Sequence, residues 1–93
     1  MNHEALKELL LQSLEYERVA VRICDAALTC VGDRAVRNEL HKQGRESQKH
    51  ERVLCGLLVK LRIDPNEETP GRSTIRRWGS ALVQVIQRAQ YGT

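Results

Sequence analysis

Glu17, Glu46 and His50 are the residues whose types and spacing could do chemistry. Two carboxylates and a neutral imidazole make a donor set for a divalent transition metal such as iron or manganese. Glu17 and His50 stand inside runs of apolar residues, where an ionised carboxylate is costly unless something compensates it. The first run reads Leu10, Leu14, Glu17, Val21, Cys24, Leu28, Val31, and the second reads Val36, Leu40, Gln43, Ser47, His50, Leu54, Leu57, Leu61. Steps of four and three alternate in both, the spacing of a helix-bundle seam. Each seam is apolar toward its ends and polar in the middle, and Glu46 lies one turn before His50 on an adjoining face.

These seams require helices. Asn2 as N-cap and Glu4 in the first turn predict a helix over about 3–31, ended by Gly32. Asp33 as the next cap predicts a second helix over about 34–62, stopped by Asp64-Pro65-Asn66, with Gly44 inside it at a cost of about 1 kcal/mol relative to Ala. Thr69 followed by Pro70 predicts a third over about 70–90, carrying Ile75, Trp78, Leu82, Val85 and Ala89. The short turn at Gly32 and Asp33 makes the first two helices an antiparallel hairpin, in which Glu17 faces a point near residue 48, between Glu46 and His50.

The 93 residues make one domain, 1–93. Its class is all-α: a long helical hairpin plus a shorter third helix. Helices of nearly thirty residues are about 40 Å long at 1.5 Å per residue. One short helix cannot cover both, so the chain is expected to be a homo-oligomer, a dimer or a multiple of dimers, in which two hairpins complete a four-helix bundle. Trp78 and Leu82 are expected to pack the third helix across the hairpin or onto the partner. Dimerisation doubles Glu17, Glu46 and His50 to four carboxylates and two imidazoles, the ligand count of a bundle-type di-iron or di-manganese centre. Without metal, a buried Glu–His pair, or Glu17 with Arg45 or Arg52, would set the register of a non-catalytic assembly module.

The segment Arg45-Glu46-Ser47-Gln48-Lys49-His50-Glu51-Arg52-Val53-Leu54 resembles the second-helix motif of small bacterial ferritin-like proteins. Leu14-Glu15-Tyr16-Glu17-Arg18 resembles the Glu-bearing first helix of the same superfamily. The likeness covers about two-thirds of the chain. It implies Glu17, Glu46 and His50 as metal ligands, and iron oxidation or storage as the role. Two departures stand beside it. The superfamily spacing is Glu-x-x-His, whereas here it is Glu-x-x-x-His, with Ser47 in the Glu slot. The third helix offers Arg, Ser and Gln but no Glu, Asp or His. The two-helix encapsulated ferritins place their site at a dimer interface, and this chain is similar in plan, although its ending Gln90-Tyr91-Gly92-Thr93 is no apolar docking peptide.

Other function classes find less support. Cys24, Cys30 and Cys55 are odd in number and lack a CxxC pair, so they predict neither a disulfide framework nor a zinc site and suit a reducing, cytoplasmic compartment. No apolar run approaches the roughly 20 residues of a membrane span, and the N-terminus carries charges where a signal peptide would be apolar. Lys42, Arg45, Lys49 and Arg52, with Arg72, Arg76, Arg77 and Arg88, read as solvated faces rather than a nucleic-acid surface, because no aromatic residues interleave them. His3 and His41 read as surface residues. No nucleophile triad or phosphate loop is present.

Overall fold

The computed structural model describes the backbone of residues 2–91 and the side-chain surroundings of residues 2–89. Three helices and no strand occur among the described residues: α1 (His3–Leu28), α2 (Arg34–Lys60) and α3 (Pro70–Tyr91). All three expected N-caps are made. Asn2 Oδ1 accepts from Ala5 N–H at 2.7 Å, Asp33 Oδ1 from Val36 N–H at 3.0 Å, and Thr69 Oγ1 from Arg72 N–H at 3.1 Å. Each takes one of the amide donors that a helix start leaves without a partner. The end of the chain at Gly92 and Thr93 lies outside the described residues.

The C-terminal ends differ from expectation. Helix α1 stops at Leu28, three residues early, with Thr29 as its cap, and Gly32 has no positive φ. The carbonyls of Leu28 and Val31 are instead met by the Arg37 guanidinium from the next helix, at 2.5 and 2.9 Å. Helix α2 ends at Lys60 in a Schellman motif. Ile63 N–H reaches Leu58 O at 2.9 Å and Arg62 N–H reaches Val59 O at 3.0 Å, with Arg62 at φ 62° in the left-handed position usually given to glycine. The apolar contact that accompanies this motif is here part of the core, since Leu58 and Ile63 are both buried.

Helix α1 is the centre of the molecule, with α2 and α3 packed on it from two sides without approaching each other. Helix α2 is antiparallel to α1 and the core lies between them, built from Leu11, Leu14 and Leu58 and closed below by Ile63. Helix α3 runs parallel to α1: Thr69 meets Glu8, Arg72 meets Glu15, Gly79 meets Val19, and Ser80 meets Arg22. The segment 61–69 therefore crosses the base of the hairpin before α3 begins. Two glycines allow close approach where α3 meets α1, and at Gly79 a Cβ would lie 2.5 Å from Val19 Cγ1. The result is long and thin, 48 × 24 × 19 Å, with a radius of gyration of 15.2 Å against about 12 Å for a compact chain of this length.

Of the two apolar residues expected to pack helix α3, Leu82 is half-buried and Trp78 is exposed. Helix α3 meets α1 through Arg72, Arg76, Gly79 and Ser80, whereas Trp78 is 49% exposed and makes a tilted ring contact with Tyr16, centroids 6.1 Å apart. Leu9, Tyr16 and Glu17 of α1 and Ile75 of α3 line one open groove. This side of the layer is called the open face below.

Candidate metal-binding pair on the open face

Helical periodicity puts Glu17 on the flank of α1 that turns from α2 toward the open face. His50 meets it from α2, with Nδ1 3.3 Å from Glu17 Oε2. The expected opposition is thus realised, about two residues further along α2 than the point near 48. Glu17 is half-buried, its side chain 24% exposed, and His50 is exposed at 59%. Neither Arg45 nor Arg52 reaches Glu17.

The separation allows two chemistries. Two ligand atoms, each about 2.1 Å from one ion and roughly 105° apart, would themselves be about 3.3 Å apart. The same distance serves a carboxylate that orients an imidazole through Nδ1 and leaves Nε2 to bind elsewhere. Glu46 lies one turn earlier on the exposed surface of α2. Among the described residues no group of three or more His, Cys, Asp or Glu side chains could hold a metal ion. One chain therefore brings together Glu17 and His50 and not Glu46, and it offers a cation two donors.

The surface around the pair is apolar. The expected α2 seam splits in two, because a straight helix drifts past a partner with steps of four and three. Leu40, Ser47 and Leu54 turn toward α1, together with Gly44, Glu51 and Leu58. His50 lies on the neighbouring strip with Val53, Leu57 and Leu61, all exposed.

The deeply buried carboxylate is Glu15, not Glu17. Glu15 is 5% exposed and Arg72 is 1% exposed. Arg72 Nε donates to Glu15 Oε1 at 3.1 Å, and Arg76 Nη2 donates to the same oxygen at 3.0 Å. The Nη1 of Arg72 also donates to the carbonyls of Pro65 and Glu67, at 2.5 and 3.0 Å. Arg72 is therefore no part of a solvated basic face. It ties the crossing segment and the start of α3 to the middle of α1. The sequence did carry a signal for this, a second stripe of Leu11, Glu15, Val19 and Ala26 on α1, now seen buried.

Charge elsewhere is paired at the surface. Arg18 bridges to Glu51 at 3.2 Å and Lys7 to Glu67 at 2.5 Å, the latter raising the lysine pKa. Arg76 also holds Glu68 at 2.7 Å; this lowers the carboxyl pKa, and Glu68 with Glu15 raises that of the guanidinium. Burial raises the Cys24 thiol, and all three cysteines are free. No helix among the described residues is long and apolar enough to cross a membrane. Compared with known proteins, the chain matches no family model, no curated protein and no solved structure.

Proposed function

We propose that this chain is a ferritin-like half-bundle that binds a divalent transition metal, iron or manganese, at a centre shared between two copies. The observation that carries the reading is the Glu17–His50 contact, 3.3 Å across two helices at the edge of an open apolar groove. A second hairpin laid over this edge would take the carboxylate out of water. Burying it there is costly unless a cation or a protonated imidazole compensates. A second chain would also supply the donors that one chain lacks, Glu46 being the nearest candidate on its exposed α2 surface. Bound metal would bring oxygen and redox chemistry, which suits iron oxidation or storage. The protein's part is to hold the donors and keep the centre dry.

Titration near neutral pH with Fe²⁺ under anaerobic conditions, or with Mn²⁺ followed by electron paramagnetic resonance, tests this. Uptake approaches two ions per dimer for a dinuclear centre, or one if the Glu-x-x-x-His spacing leaves it mononuclear. Glu17→Ala and His50→Ala each abolish uptake while helicity is kept.

One observation favours a second reading. The described residues of a single chain hold no three-donor group, so the Glu17–His50 pair would serve as a register-setting contact in a non-catalytic assembly module. Wild-type protein that takes up no metal, together with a Glu17→Leu variant that is more stable and otherwise unchanged, would establish that module and end the metal reading.

A further inference from the structure

Among the described residues, the nine large hydrophobic side chains that the fold leaves exposed are not scattered. The α2 strip of Val53, Leu57 and Leu61 accounts for three, and Leu9 and Tyr16 on α1 for two. Trp78 and Val85 on α3 add two more, leaving only Val36 and Val59 apart. Local contacts, with helical periodicity, give the side on which these seven lie. Tyr16 stacks against Trp78, Leu9 and Tyr16 share a groove with Glu17 and Ile75, and Glu17 meets His50, the strip-mate of Val53 and Leu57. All three helices thus present apolar side chains to one side. For α3 this has a specific cause. Arg72, Arg76, Gly79 and Ser80 are spent on α1, so Trp78 and Val85 are left exposed, with Ile75 and Leu82 half-buried beside them.

The exposed surface is large enough to receive a second copy. The chain exposes 6407 Å² at 10.6 kDa. A compact monomer of that mass exposes about 5,500 Å². The excess, about 900 Å², is close to the roughly 800 Å² that each partner contributes to a standard stable interface. Contiguous apolar patches of several hundred Å² mark association sites in soluble proteins.

We infer that a second copy of this chain covers the whole open face, so that α3 with Trp78 lies inside the interface and the assembly is a two-layer, six-helix dimer. The four helices of the two hairpins form its middle and the two α3 helices flank them. This rests on the proposed pairing of two chains and extends it from the hairpins to α3.

The test is light scattering at about 10–100 µM, above the micromolar end of the affinities that standard interfaces reach, with the emission of Trp78, the single tryptophan, followed on dilution. The wild type has the mass of two chains, and its tryptophan emission shifts to the red as dilution lowers that mass. Leu57→Glu and Trp78→Glu each raise the dimer dissociation constant by about 100-fold or more, as expected for a charge placed among buried anchors, with helical circular dichroism retained. Glu17→Ala and His50→Ala remain dimeric, so loss of metal uptake in an intact dimer, or a wild-type dimer that takes up no metal, bears on the metal reading alone. If Trp78→Glu unfolds the chain, the wild-type emission shift decides the point without it. A wild-type monomer at 100 µM overturns the inference. A dimer that Leu57→Glu breaks and Trp78→Glu leaves intact, or whose tryptophan emission ignores dissociation, also overturns it by confining the interface to the hairpins.

Discussion

Replacing Arg72 by Met removes a cation that is 1% exposed and holds three partners at once: Glu15, the Pro65 carbonyl and the Glu67 carbonyl. Met fills most of the volume, so little of the cost comes from a cavity. The cost comes from Glu15, left ionised at 5% exposure, and from two carbonyls that lose a donor. Breaking a buried pair by removing one partner costs about 3–5 kcal/mol. Arg76, itself 43% exposed, still donates to Glu15, which places the expected loss near the lower end, about 3 kcal/mol. Against a total stability of about 5–14 kcal/mol for a chain of this length, that is a large fraction. The double variant Arg72→Met, Glu15→Leu removes both charges, and apolar replacement of a whole buried pair is often close to neutral. It should therefore lose only about 1 kcal/mol, mainly for the carbonyls. Urea unfolding followed by circular dichroism, at one fixed protein concentration because association adds to apparent stability, measures all three proteins. An Arg72→Met loss below about 1 kcal/mol, or a double variant as unstable as the two single losses added together, would refute the account of Glu15 as a carboxylate dependent on its buried partner.

Three further outcomes follow from the backbone. Gly79→Ala gains about 1 kcal/mol of helix propensity but sets its Cβ 2.5 Å from a Val19 methyl; because a helical valine has one strongly preferred rotamer, a net loss of about 1–3 kcal/mol is expected, and Val19→Ala should cost less in the Gly79→Ala background than alone. Gly44→Ala meets only Cys24 Cβ at 3.6 Å, an ordinary contact, so it should stabilise by about 0.5–1 kcal/mol in the same urea assay. Arg62→Gly relieves a left-handed residue at φ 62° and should add about 0.5–1 kcal/mol, raising the melting temperature by several degrees, which a thermal scan reads directly.

The hairpin and its starts were legible because their signals are local. Asn2, Asp33 and Thr69 each sit one position before a helix and bond an amide three residues on, so sequence order alone finds them. The helix ends were not legible, because their partners are distant or unusual: Arg37 reaches back to Leu28, and Arg62 takes a glycine's conformation. Glu17 and His50 were found together because a short turn fixes antiparallel register. Glu15 and Arg72 were not, because their separation of 57 residues depends on how the segment 61–69 crosses the base. The direction of α3 could not be read from its apolar positions either, since the contacts that set it run through Arg72, Arg76, Gly79 and Ser80.

The parallel course of α3 beside α1 orders the events of folding. Contacts between α1 and α2 join residues across one short turn, whereas those between α1 and α3 join residues more than fifty positions apart, Glu15 with Arg72 and Arg22 with Ser80 among them. Closing the longer loop costs more chain entropy, and the Leu11, Leu14, Leu58 and Ile63 cluster forms without α3. The hairpin is thus the expected nucleus and α3 the late arrival. Substitutions at Arg72 or Gly79 should leave the refolding arm of a chevron plot in place and lift the unfolding arm. In the native ensemble, α3 should exchange its amide hydrogens through partial openings in which the hairpin stays closed.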